Sequence, residues 1–151
     1  MVIDLRRLYD NVGEKLEIDH SVDEKRLSEV KGHSLSRPVI IKGAAVNRAG
    51  IVMLKYTAEF TLNACCDRCL TEFDRDYSFD FEHILVRELN NSDDGDEYII
   101  TESDKLDLDE LAITDCLLQL PTKMLCKEDC LGLCPVCGAD LNKNECNCKS
   151  L

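Results

Sequence analysis

No stretch of the chain comes near the roughly 20 consecutive apolar residues that a helix needs to cross a bilayer. The opening MVIDLRRLYDN meets Asp4 and two arginines before any apolar run develops, a pattern unlike a signal or transit peptide. The expected compartment is the cytoplasm, with no membrane partner. Catalytic signatures are missing too: there is no Gly-rich phosphate loop, no H-E-x-x-H and no G-x-S-x-G, so the chain reads as a non-enzyme. Basic charge is short, with 18 Lys and Arg against 30 Asp and Glu, a net −12 and a pI near 4.6. Residues 1–120 carry 14 basic and 26 acidic side chains, whereas 121–151 carry four of each. An acidic body repels phosphate, which disfavours broad electrostatic binding to nucleic acid and makes a basic protein the natural complement.

What is present is first a β pattern. VIDL at the start and KLEID at 15–19 read as strands, and EKRLSEV (24–30) as a short helical turn or a loop. VIIKGAAV (39–46) is rich in β-branched residues and leads through Asn47-Arg48-Ala49-Gly50, a hairpin turn, into IVMLKYTAEFTLN (51–63). In that segment Val52, Leu54, Tyr56, Ala58, Phe60 and Leu62 share one face, and Lys55, Thr57, Glu59, Thr61 and Asn63 the other. Alternation resumes in FDRDYSFDFEHIL (73–85), with Phe73, Tyr77, Phe79, Phe81 and Leu85 opposite Asp74, Asp76, Ser78, Asp80 and Glu82. Two long strands joined by a short turn predict an antiparallel pair within a β-meander or partial barrel.

Residues 88–110 hold ten acids against Lys105 alone. NNSDDGDE (90–97) reads as a solvated acidic loop lacking the twelve-residue calcium pattern, and YIIT (98–101) as a short edge strand. Asp107 followed by Glu110 marks the start of a helix over about 108–120, and Pro121 its stop. Its apolar residues, Leu118 among them, form a broad face expected to be buried against the sheet. Cys116 there reads as a small core residue.

The remaining nine cysteines cluster. In a reducing compartment close pairs more often bind metal than form a disulfide framework. Cys134-Pro-Val-Cys137-Gly138 has the spacing of a zinc knuckle, and Gly138 allows backbone amides to turn back toward the sulfurs. Cys146-Asn-Cys148 follows after eight residues, so Cys134, Cys137, Cys146 and Cys148 make a four-thiolate set. Cys126 and Cys130 stay open: either could displace a member of the Cys146/Cys148 pair, or six thiols could support exchange or a second ion. His20, His33 and His83 are distant in sequence, so the site is expected to be all-sulfur. The tail has too few large apolar groups for its own core, and one structural zinc per chain is the expectation. Cys65-Cys66-Asp67-Arg68-Cys69 lies between the long strands. Cys66 and Cys69 read most simply as structural thiols at a tight turn. The alternatives are half of a site completed by Cys126 and Cys130, or a redox dithiol.

CDRCL (66–70) between two strands, the acidic helix-bearing segment, and LCKEDCLGLCPVCGADLN with a closing CNC resemble the YceD family. The resemblance runs from about residue 15 to the end, and GLCPVCGADLN is its most specific part. It implies a non-enzymatic role in ribosome biogenesis, linked to accumulation of large-subunit ribosomal RNA, in the bacterial cytoplasm or in a plastid. It also carries over Cys66, Arg68 and Cys69 in the turn, and the six tail cysteines as candidate ligands. Joined to the charge, it implies a basic ribosomal protein or assembly factor on the pre-ribosomal large subunit as partner, with direct RNA contact confined to Lys123, Lys127, Lys143 and Lys149. These lysines otherwise read as solvated.

The sequence thus predicts an α+β protein: an antiparallel β-meander or partial barrel with one packed helix over 1–120, and a cysteine-rich zinc-binding tail over 121–151. A zinc–thiolate redox sensor or thiol oxidoreductase is the rival from another class, and a generic zinc-stabilised interaction module a third.

Overall fold

The computed structural model describes residues 1–28, 34–88 and 98–148. The expected acidic loop NNSDDGDE lies outside these residues, as do His33 and Lys149.

The chain forms β1 (Val2–Asp4), α1 (Arg6–Asp10), β2 (Lys15–Ser21), α2 (Glu24–Ser28), β3 (Ser34–Leu35), β4 (Ile40–Arg48), β5 (Ile51–Cys65), β6 (Glu72–Val86), β7 (Tyr98–Ile100), β8 (Lys105–Asp107) and α3 (Leu108–Gln119). One curled sheet, a half-barrel, runs in the order β2-β4-β5-β6-β7, and β3 extends the β4 side of β5. All pairings are antiparallel except β6 with β7. β1 and β8 form a separate two-stranded ribbon. The fold is therefore the α+β half-barrel with one main helix and a cysteine-rich tail that the sequence predicts. Among the described residues no helix is long and apolar enough to cross a membrane.

The alternation read from β5 fixes its register. Val52, Leu54, Tyr56, Ala58, Phe60 and Leu62 are all buried, and each cross-strand partner on β6 is an odd-numbered residue, so Phe79 and Phe81 share the inner face. A one-residue slip would turn this whole set to solvent. The β4–β5 turn is tighter than the four residues expected. Arg48 pairs with Ile51, leaving Ala49 and Gly50 at φ 54° and 86°, the two positive values a two-residue hairpin turn requires. Asn47 is instead buried in the strand, where its side-chain amide donates to the Leu8 carbonyl at 2.6 Å and its side-chain oxygen accepts from the Gly50 N–H. Curling brings β4 and β5 very close at Gly43, where a Cβ would lie 2.0 Å from the Lys55 carbonyl oxygen. No other residue fits there without moving a strand.

Helix α3 starts as predicted, with the Asp107 side chain accepting from the Glu110 N–H. Its burial is narrower than the sequence suggests. Leu108, Ala112 and Cys116 are buried, but Leu118 is 78% exposed. A helix lying on one face of a sheet can bury only one stripe, and Leu118 falls outside it. Polar ties fix the docking: Tyr56 donates to Asp115, and His83 Nε2 lies 2.6 Å from the same carboxylate. Buried Asp109 holds His20 at 2.8 Å and the Met1 amino group at 2.6 Å. Cys116 is a core thiol, pushed up to about 12 by burial and then by Asp115, so it stays protonated.

Candidate metal centres

The β5–β6 hairpin ends in a six-residue loop from Cys66 to Thr71, closed by the Cys66 N–H to the Thr71 carbonyl at 2.9 Å. Within it the Leu70 N–H returns to the Cys66 carbonyl at 2.9 Å, and Leu70 sits at φ 60°. Cys134-Pro-Val-Cys137-Gly138 has the same wiring: the Gly138 N–H reaches the Cys134 carbonyl at 2.9 Å, with Gly138 at φ 75°. The two C-x-x-C segments are thus the same knuckle, each closed by a left-handed residue after its second cysteine. Glycine takes that conformation without strain; leucine takes it at a cost of about 1 kcal/mol, held there by the surrounding bonds.

Each knuckle meets a second pair of cysteines. Cys66, Cys69, Cys126 and Cys130 bring their sulfurs within 4.8 Å of one another, and Cys134, Cys137, Cys146 and Cys148 do the same. The sequence-preferred set is therefore assembled as expected. Cys126 and Cys130 do not compete for it: the tertiary fold carries them to the body's turn, and Cys66 and Cys69 are half of a four-sulfur cluster. The leading reading of Cys66 and Cys69 as plain structural thiols gives way to the alternative of a site completed by Cys126 and Cys130, and the single expected tail site to two clusters.

The geometry fits a tetrahedral ion. In the first cluster Cys66 Sγ lies 3.7 Å from Cys130 Sγ, and Cys69 Sγ 3.6 Å from Cys126 Sγ. A metal–sulfur distance of about 2.3 Å puts tetrahedral ligands roughly 3.8 Å apart. A disulfide would need about 2 Å. All ten cysteines are free thiols. Cys66, Cys69 and Cys130 are buried, with Phe73, Leu125 and Leu133 packed around them as a small satellite core.

Proton affinities differ within each cluster. Burial works against a thiolate at Cys66, but backbone N–H groups of Cys126, Cys69 and Arg68 outweigh it and bring the group to about 6. Backbone N–H groups of Cys137 and Val136 hold Cys134 at about 6, the Val136 N–H being 3.4 Å from the sulfur. In the same clusters Cys126 is pushed up to about 12, by burial and then by the sulfurs of Cys69, Cys66 and Cys130. Cys148 is pushed up to about 12 chiefly by Cys137. Cys69 is lowered as well, chiefly by its hydrogen bond to the Thr71 hydroxyl, and Cys146 is raised in the tail cluster. Each set thus mixes favoured and disfavoured thiolates that a divalent cation would favour together.

Contacts around the first cluster dock the tail onto the body. The Asp67 N–H donates to the Met124 carbonyl at 2.7 Å, and the Met124 N–H returns to the Asp67 carboxylate at 2.8 Å. Arg68 reaches the Cys130 carbonyl at 2.9 Å, and Arg75 the Leu125 carbonyl at 2.6 Å. Gly132, at φ 78°, lets the chain pass the Arg68 backbone, where a Cβ would sit 3.2 Å from the carbonyl oxygen. The sequence reading missed Asn142, which reaches from the loop between the tail cluster's two cysteine pairs to the first cluster. Its amide nitrogen lies 3.3 Å from Cys130 Sγ and donates to Asp140 at 3.0 Å, while its oxygen accepts from the Leu131 N–H at 2.8 Å. The signal was its place in GADLN, just after the second knuckle. Lys123, Lys127 and Lys143 are exposed, as expected of solvated charge.

A curled-sheet body joined to its own tail by one four-thiol cluster, with a second inside the tail, defines the class: an α+β protein with two candidate metal centres. The profile of the family described as large ribosomal RNA subunit accumulation protein YceD matches residues 54–150. The chain belongs to the YceD family. Comparison with curated proteins gave no match, and comparison with solved structures gave none either.

Proposed function

We propose that this chain is a non-enzymatic cytoplasmic factor supporting accumulation of large-subunit ribosomal RNA, acting through a basic protein partner on the pre-ribosomal large subunit. The observation that carries the role is the family match over 54–150, which spans both clusters and the long strands. The net charge of −12 supports a basic protein over naked RNA as the direct contact. Deletion of the gene tests the role: large-subunit rRNA should fall while small-subunit rRNA is spared. Equal loss of both, or of neither, removes the reading. Co-purification tests the partner, since tight binding of naked rRNA with no basic protein retained would defeat it.

The clusters enter as structural zinc sites, one ion in each. Four thiolates complete zinc's tetrahedral sphere and leave no position for substrate or water. Protein purified under reducing conditions should hold two zinc ions per chain by elemental analysis, and Cys66→Ser or Cys134→Ser should each leave one. Bound iron would overturn the assignment to zinc. No separate observation favours the thiol-redox alternative.

A further inference from the structure

Strand β6 is 15 residues long and pairs with β5 along almost its whole length. On its other side, among the described residues, β7 pairs only with Ile84, Leu85 and Val86. Among the described residues, Glu72–His83 therefore presents an open strand edge of roughly 40 Å. The two faces flanking that edge differ sharply. Outward lie Asp74, Asp76, Asp80 and Glu82, all exposed. The first three accept hydrogen bonds from neutral Asn63, Thr61 and Thr57, and among the described residues only Glu82 of the four is in an ion pair, with Lys55 at 3.1 Å. Inward lie half-buried Tyr77, Phe79 and Phe81, Tyr77 stacked on Phe79 at a centroid distance of 5.4 Å and Phe79 edge-on to Phe81 at 6.2 Å, with the Tyr77 hydroxyl on Met124 Sδ at 3.6 Å.

From this edge we infer that β6 takes an extended basic segment of a partner protein as an added antiparallel or parallel strand. Backbone groups of the edge would bind the segment's backbone, and its alternate side chains would fall on opposite faces. One face asks for Lys or Arg against the acid row, the other for Val, Ile or Leu against the aromatic row. The occupant is thus an alternating basic–apolar segment. RNA has neither the backbone hydrogen-bond pattern nor the charge to fit. Acidic side chains on an edge strand also discourage pairing between copies of one chain, which is consistent with an edge kept for a partner of opposite charge. The inference deepens the basic-partner reading and rests on it for the partner's place in the cell.

The test uses the full chain with its metals and a fluorescent peptide of about ten residues, alternating Lys or Arg with Val or Ile. Anisotropy should show binding, and hydrogen exchange should show new protection within Glu72–His83. A peptide of the same composition and charge, N-methylated at alternate residues, should bind on the order of tenfold more weakly in one of the two alternating registers, because its strand hydrogen bonds are gone. The doublet Asp76→Lys with Asp80→Lys, checked for an intact sheet by circular dichroism, should weaken the unmodified peptide by about tenfold. Equal binding of both N-methylated registers would mean charge alone is read and would overturn the inference. So would protection elsewhere in the sheet, or protection of Glu72–His83 by single-stranded RNA added without the peptide. Because the assay is done on purified protein, docking without an rRNA phenotype would sink only the functional role, and an rRNA phenotype without docking would sink only this inference.

Discussion

The two four-sulfur clusters start from the same five-residue knuckle and differ in where their second halves come from. In the tail cluster Cys134 and Cys146 are 12 residues apart, so one local loop supplies all four ligands. In the other, Cys66 meets Cys130 across 64 residues and Cys69 meets Cys126 across 57. Closing the longer loop restricts the unfolded chain more, by roughly 1.5 kcal/mol from loop-closure entropy alone. The local cluster shapes a segment that cannot build a core; the distant one decides where that segment sits. A shared motif can thus serve folding in one place and docking in the other.

The largest expected effects separate those two jobs. Cys66→Ser should free the whole segment after α3 from the body, whereas Cys134→Ser should disorder the chain beyond Leu133 and leave Met124–Cys130 docked. Limited proteolysis with mass mapping distinguishes them: cleavage near Lys123 and Lys127 in the first, and only at Lys143 or later in the second. Structural zinc in small sites contributes on the order of 10 kcal/mol, so neither loss should be silent. If both variants give one cleavage pattern, the division of labour between clusters is wrong.

Asn142→Ala should couple the clusters' fates less severely. It removes the amide beside Cys130 Sγ and the acceptor for Leu131, and groups oriented around metal ligands change affinity about 10- to 100-fold. Competition with a chromogenic chelator should show one of the two metals leaving more readily. A change confined to the tail cluster would show that Asn142 serves its own loop alone.

The left-handed closing residues sharpen the comparison further. Gly138→Ala should destabilise the tail knuckle by about 1 kcal/mol, and Leu70→Gly should relieve strain of similar size at the body knuckle. Thermal denaturation of the metal-loaded protein reads both signs. A loss of stability in Leu70→Gly would mean that the exposed leucine makes contacts worth more than its strain.

The smallest effect lies outside the clusters and serves as their control. The Asp107 carboxyl is partly desolvated, which opposes ionisation, but the Arg26 guanidinium and the Glu110 N–H outweigh this and lower its pKa. A group whose folded pKa is depressed stabilises the protein above its unfolded value near 4, and that stabilisation is lost as pH falls through the folded value. Asp107→Asn keeps a good helix cap and removes only the charge. Wild type should therefore melt higher than Asp107→Asn at neutral pH, where the two hold the same metal content, and converge with it below about pH 4, where both lose metal alike.

Much of the body was legible because strand alternation reports burial directly: every inward residue named on β5 is buried, and the cap of α3 begins where Asp107 and Glu110 placed it. Leu118 misled because composition does not say how wide a stripe the sheet will cover. Ala49 and Gly50 formed a tighter turn than the sequence suggested, with Asn47 drawn into the core to tether Leu8. The knuckle Cys134–Cys137 could be seen from spacing and its glycine. Its twin was harder to see because Leu70 stands where the glycine signal would be.

Local chemistry thus determined the strands, the helix start, the acidic character and the four-thiol tail set, since each depends on neighbours within a dozen residues. Pairing Cys66 and Cys69 with Cys126 and Cys130 was decided only by the tertiary structure. Those sulfurs meet because the chain after α3 docks at the turn of the β5–β6 hairpin, with the Met124 sulfur against Tyr77 and its backbone paired with Asp67. Asp67, Arg68 and Arg75 then hold the backbone of Met124–Cys130 in place. Spacing carries no information about contacts across 57 to 64 residues; only the path of the folded chain between them does.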